Sequence, residues 1–444
     1  MSTFFQVGIA ILIIVTGIAC AARNAVSPHN ANSIPASTST PIPSETVKSP
    51  VQIPTSTLTV TPAITPTVLA IDSSIAKRLS IAFISNGQIG LWHNGTTRRL
   101  HNAHPADDGW GRVALADDGQ MIAFVSQGAL WAINSDGTHE RRLVSAADFK
   151  SMPPLDPGVS LLQFDWAPNT HKLLFNTRLN TSYGLNFADD LYLVDADTQQ
   201  WVNLLPPNQG GDFHFSPDGR KVALVSPSQI RLMDADGRNA RTLLDFPAVS
   251  TASEFSHYPL PVWSPTSDSL RLALLHPDAV YDSTLPTTIW HLPVDGTKPF
   301  TISQISTQGI YISPNLTHIA YPRFITPAST YGDFPLVELH LADIDGSNDF
   351  VYASGKVGFV NWLPDSDHFV FWQERDNDFY RGQISNKKAI LLAKIWFLEL
   401  PWIDESHFLF YDGVEPYGLK LGTVGHPALL LIEPPVADYD FILK

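Results

Sequence analysis

Seven copies of one short block recur along the chain, and they leave few folds open. The block is an aromatic residue or Ile, a small residue or Leu, Pro, a polar turn, and then a short apolar strand. It reads FSPDGRKVALVS at 215–226, WAPNTHKLLFN at 166–176, WSPTSDSLRLALL at 263–275, ISPNLTHIAY at 312–321 and WLPDSDHFVFW at 362–372. Looser copies are LADDGQMIAFVS at 115–126 and WIDESHFLFYD at 402–412. The second residue of the block falls at Ala116, Ala167, Ser216, Ser264, Ser313, Leu363 and Ile403, so successive steps are 51, 49, 48, 49, 50 and 40 residues. A period of this size belongs to a structural unit stacked on copies of itself.

Each unit reads as short strands separated by turn residues. After the apolar strand comes another, such as LYLVD at 191–195 or IRLMD at 230–234, and an Asp-Gly turn often follows, as at Asp136-Gly137, Asp236-Gly237, Asp295-Gly296 and Asp345-Gly346. Gly supplies the positive φ that tight hairpins need. A last strand, such as RTLLD at 241–245, closes the unit. Four antiparallel strands per unit, repeated around an axis, predict an all-β fold, a β-propeller. Residues 78–100 supply only the later three strands of a further unit, and ADYDFILK at 437–444 is an unassigned strand after the last copy. Pairing the two gives eight blades closed by the C-terminal strand, with seven as the alternative, and closure removes the exposed sheet edges. Trp166, Trp263, Trp362 and Trp402 share one repeat position and are expected to pack between blades.

The block resembles the TolB-type, WD-repeat-like propeller repeat, whose signature is aromatic-Ser-Pro-Asp-Gly before a strand. Phe215-Ser216-Pro217-Asp218-Gly219 matches it in full and the other copies in part. The resemblance covers roughly residues 78–444 and implies the fold; function has to come from the site.

The first 77 residues have a different character. Residues 1–19 carry no charged side chain, and Val7 to Ala19 is almost wholly apolar, the length of a secretory core rather than a full membrane span. The chain's one cysteine, Cys20, follows at once. Gly17-Ile18-Ala19-Cys20 resembles the bacterial lipobox, which implies a signal peptide over 1–20, lipid attachment at Cys20, and an extracytoplasmic protein anchored to the bacterial membrane as a lipoprotein. An uncleaved transmembrane anchor or a secreted protein are the alternatives. Residues 21–77 are rich in Ser, Thr and Pro and predict a disordered, partly extended linker.

The whole chain carries 28 Lys and Arg against 43 Asp and Glu. Residues 1–77 hold three basic and two acidic residues, so the remainder carries a net charge of −16. That balance argues against nucleic acid, which calls for a basic stripe. A single Cys excludes a disulfide framework and CxxC metal sites.

Connections of unequal length locate the expected site. Turns between first and second strands, and between third and fourth, are short; several of the others are long, among them 145–158, 177–190, 246–261, 276–286 and 322–335. Long loops on a rigid scaffold are commonly kept for binding. Tyr183, Phe187, Asp189, Asp190, Tyr258, Tyr281, Asp282, Tyr331 and Phe334 lie in them and are the candidate ligand-binding residues. Aromatic rings beside carboxylates suit an envelope protein, a polysaccharide or a peptide. No catalytic motif is present, and no cofactor or metal is expected; His101 to Asp108 and Asp376-Asn377-Asp378 lack a matched ligand set. The leading expectation is a monomeric binding or scaffold protein. The alternative is a propeller-type hydrolase or lyase acting on carbohydrate or peptide, with Asp189, Asp190 or Asp282 as acid and base.

Overall fold

The computed structural model describes residues 60–61, 73–107, 112–181, 186–251, 255–282, 284–325, 335–373, 378–394, 400–411 and 415–444. They form an eight-bladed β-propeller. Blade 1 is Leu79–Ser85, Gln88–His93 and Thr96–Arg99, and Asp438–Leu443 supplies its innermost strand. Blades 2 to 7 follow in chain order, with innermost strands at Val113–Leu115, Val159–Trp166, Asp212–Phe215, Pro261–Trp263, Tyr311–Ile312 and Val357–Trp362. Blade 8 has three full strands, His407–Phe410, Leu419–Thr423 and His426–Ile432, and a single bridge from Trp402 to Phe408 in the innermost place.

Burial grades outward from the axis. Leu79–Ser85 and Met121–Ser126, second strands of their blades, are buried at every position, whereas Thr96–Arg99 at the rim is exposed at every position. A second strand has a neighbouring blade on both of its faces, so it reads as a continuous apolar run rather than an alternating one. In blades 2 to 8 the pairing of third with fourth strand shifts register by a bulge, for example between Leu130 and Trp131 and between Ile230 and Arg231. Bulges add local twist.

The hydrophobic core is divided into eight clusters, one at each interface between successive blades. The last-to-first cluster joins Leu79, Ile81 and Phe83 to Leu409, Leu419 and Leu421, with Phe441 of the closing strand. Eight interfaces among eight blades mean a closed ring. The seven-blade alternative is set aside because Asp438–Leu443 pairs along Leu79–Ile84 instead of extending blade 8.

The expected tryptophan role is visible in detail. Trp166 donates its indole N–H to the Ala114 carbonyl at 3.1 Å, Trp263 to His214 at 3.2 Å and Trp362 to Tyr311 at 2.9 Å. Each acceptor lies on the innermost strand of the preceding blade. Trp402 packs in the equivalent place against Val360 and Leu363 of blade 7, but its Nε1 meets no acceptor among the described residues.

Two short elements lie in the stretch expected to be linker. A helix over Ser73–Arg78 places Ile75 and Ala76 in the last-to-first interface, so the folded body begins ahead of residue 78. Val60–Thr61 runs parallel to Ala389–Ile390 as a fifth strand on the rim of blade 7. Apart from Val60–Thr61, the first 72 residues, Cys20 included, lie outside the described ones.

Candidate functional site

Antiparallel order fixes which connections share a face. Those from fourth to first strand and from second to third lie together, and the long segments predicted from sequence are of these two kinds. On this loop-rich face the connections of blades 3, 4 and 5 meet.

Phe187, in a two-residue strand paired to Arg178–Leu179, stacks on Tyr258 with ring centroids 4.3 Å apart. The Tyr258 hydroxyl donates to Asp189 Oδ1 at 2.9 Å. Burial, with the nearby carboxylates of Asp190 and Asp212, raises the Asp189 pKa to about 6 despite that hydrogen bond, and burial together with Asp189 pushes the Tyr258 phenol upward. Asp190 is fully buried and is held by the backbone N–H of Thr177 at 2.8 Å and its hydroxyl at 2.5 Å. It positions the loop.

Gly210 and Gly211 let the next connection pass beneath. The Gly210 N–H donates to the Asp189 carbonyl at 2.6 Å, and a Cβ at Gly210 would lie 2.3 Å from the Asp190 carbonyl oxygen. Gly211 has φ +144°, and a Cβ there would lie 2.2 Å from the Val225 carbonyl oxygen. Only glycine fits so close an approach.

Sequence reading missed several polar groups beside this cluster. Asp212 is buried at the start of its innermost strand; Gln163 Nε2 on the neighbouring blade donates to its Oδ1 at 2.9 Å, and His214 Nε2 lies 3.0 Å from its Oδ2. His257, next to Tyr258, is driven by burial to a pKa of about 4, so its imidazole is neutral near pH 7. Asp438 and Asp440 belong to the closing strand. Asp438 Oδ2 accepts the N–H groups of Arg112 and Val113 at 2.6 and 3.0 Å, and Asp440 Oδ2 accepts that of Leu115 at 2.7 Å. These carboxylates stitch blade 1 to blade 2 at the axis. Register was the available signal, since Asp212 and Asp438 each open an innermost strand.

These groups set a pH dependence. Burial raises Asp438 to about 7 and Asp440 to about 6, outweighing the amide hydrogen bonds that favour the ionised form. An unfolded Asp titrates near about 3.9. A carboxyl raised by folding contributes stability that is full below its unfolded pKa and is lost as pH climbs through its folded pKa. Thermal stability is therefore expected to fall from about pH 4 to about pH 7 in this part of the molecule, and Asp438→Asn to flatten the slope. Thermal melts across that range check it; an unchanged slope in the variant would remove Asp438 from the account.

The remaining candidates are dispersed. Tyr281 is exposed, and its hydroxyl lies 3.2 Å from Ser250 Oγ on the adjoining connection. Asp282 accepts the Thr284 N–H at 2.9 Å and its hydroxyl at 2.7 Å, and these bonds hold its carboxyl below the usual range. The structure thus gathers Phe187, Asp189 and Tyr258, commits Asp190 and Asp282 to their own loops, and leaves Tyr281 at a loop tip. Tyr183, Tyr331 and Phe334 lie outside the described residues. Among the described residues no group of three or more His, Cys, Asp or Glu is placed to hold a metal ion. His104 instead pairs with Glu140 at 2.7 Å and stacks on Trp131.

Exposed apolar side chains mark the same face. Of the seven large hydrophobic residues exposed among the described ones, Leu155, Val280, Tyr281, Ile325 and Tyr417 stand in its connections, with Leu155 at 72% and Tyr281 at 69%. Val202 and Phe300 are on rim strands, and the short-turn face has none.

No protein-family model and no curated protein matches the chain. Solved structures do. An oligogalacturonate lyase in complex with manganese is 13% identical, over 78% of this chain and 90% of that one, with a TM-score of 0.43. A putative TolB from Agrobacterium tumefaciens is 16% identical, over 66% and 96%, with a TM-score of 0.30. A eukaryotic initiation factor is 10% identical, over 83% and 97%, with a TM-score of 0.47. Identities this low leave ligand and chemistry to the residues of this chain.

Proposed function

We propose that this chain is an extracytoplasmic propeller, tethered to a membrane through its N-terminal segment, that binds a protein or envelope polymer on its loop-rich face. The observation that carries the reading is the gathering of exposed apolar side chains on one face. Water-exposed Leu and Tyr at loop tips cost solubility, and a soluble surface concentrates them where something else covers them. Behind the tips, the Phe187–Tyr258–Asp189 cluster adds a stacked aromatic pair with a polar handle. The N-terminal sequence supports the tether through Cys20.

A retention experiment tests the reading. The full chain, immobilised, is exposed to an envelope extract beside a variant carrying Leu155→Ser, Tyr281→Ser and Ile325→Ser. Retention of a defined component by the first, lost in the second, is expected; these surface changes leave the melting temperature unaltered. Equal retention by both would place binding elsewhere.

A further inference from the structure

The loop-rich face is acidic as well as apolar. Among the described residues, its connecting segments, the gaps between fourth and first and between second and third strands, hold nine Asp and Glu against three Lys and Arg. The short-turn face is acidic too, so charge alone does not separate them. Local bonds hold carboxylates on both faces, Asp282 from Thr284 and Asp148 in its helix cap among those of the loop-rich one. On the short-turn face they close their own turns: Asp136 accepts from Thr138, Asp218 from Ser216 and Arg220, Asp295 from Thr297 and Asp345 from Ser347. Those bonds depress their pKa values, so the charge is already compensated by local dipoles.

Three described carboxylates of the loop-rich face stand apart from this pattern. At two of its tips a solvent-exposed carboxylate stands beside an exposed apolar side chain in sequence: Asp156 next to Leu155, and Glu415 two residues from Tyr417. Nearer the axis, Asp189 has Tyr258 as its one hydrogen-bond donor to the side chain among the described residues. The charged groups acting on it are Asp190 and Asp212, with no Lys or Arg among them. A surface that combines uncovered apolar area with carboxylates that meet no Lys or Arg among the described residues is complementary to a partner of the opposite charge and the same apolarity.

Resting on the reading that this face binds, we infer that its occupant is a cationic polypeptide segment in which Lys or Arg alternates with Leu or aromatic residues. The apolar residues cover Leu155, Tyr281, Ile325 and Tyr417, and a basic side chain enters beside Asp189, where the Phe187–Tyr258 stack walls one side. The same charge disfavours anionic polymers.

Fluorescence anisotropy of the full chain in detergent tests this with four labelled probes: a Lys–Leu peptide, its Glu–Leu counterpart, oligolysine and a neutral oligosaccharide. The Lys–Leu peptide is expected to bind tightest and to weaken with salt. Asp189→Asn is expected to weaken it by about threefold to tenfold, as loss of one charge contact does. Asp156→Asn with Asp278→Asn, both at exposed loop positions, gives a second charge variant that does not disturb packing. The triple Ser variant is expected to lose about tenfold or more, the loss of several apolar anchors. Asp236→Asn with Asp295→Asn, on the short-turn face, should change nothing. Equal binding of the Glu–Leu peptide, equal weakening by the short-turn variant, or no binding of the Lys–Leu peptide would overturn the inference. Oligosaccharide binding lost in the triple Ser variant, with the peptide inert, would overturn it while leaving the binding face in place.

Discussion

Removing Asp438–Lys444 is expected to open the ring and abolish a single folded species. Six consecutive residue pairs, from Leu79↔Leu443 to Ile84↔Asp438, would disappear. Leu79–Ser85, buried throughout, would become an exposed edge, and such apolar edges recruit other chains. Phe441 would leave the last-to-first cluster, and the carboxylates that hold Arg112, Val113 and Leu115 would go with it. Net stabilities of domains are about 5–15 kcal/mol, so loss of a whole strand is comparable to the total. Gel filtration should show oligomers, with an early, broad melt. Adding the peptide DYDFILK in trans should restore part of the cooperative transition. A monomer with an unchanged melt would show that the ring is not closed this way.

The second large effect is at the interblade tryptophans. Trp166→Ala is expected to cost about 3–5 kcal/mol, the range for emptying a buried aromatic site. Phe separates ring from hydrogen bond. Trp166→Phe keeps most of the packing but leaves the Ala114 carbonyl without its donor, a further cost of about 1–2 kcal/mol. Trp402→Phe forfeits no described hydrogen bond and should be the milder change. Denaturant unfolding of the two Phe variants gives the comparison; equal losses would reduce the indole bond to a bystander.

Sequence carried the ring a long way for a physical reason. Turn chemistry is local: Ser216, Pro217, Asp218 and Gly219 specify their bend within a few residues, and repetition multiplies the signal. The indole contacts followed from the same register. What escaped depends on distance along the chain. Tyr258 and Asp189 are 69 positions apart, and nothing near either announces the other. Innermost strands such as Tyr311–Ile312 and Asp212–Phe215 are too short to show a pattern, so Asp212 went unremarked, while Asp438 read only as the first residue of an apolar closing strand. The bulge between third and fourth strands leaves apolar spacing intact and has no sequence mark. Burial of Asp190 against Thr177 also ran against its expected place among the ligand-facing residues, because a carboxylate in a loop reads the same whether it holds a ligand or the loop itself.

Hydroxyl-radical footprinting of the chain in intact cells and after purification tests the central claim whatever the partner is. If the loop-rich face is the binding face, Leu155, Tyr281 and Tyr417 will be protected in cells and become reactive once the protein is purified. Phe300 and Val202, exposed on rim strands, will react equally in both. Equal reactivity at the loop tips, or protection confined to Phe300 and Val202, would contradict the assignment.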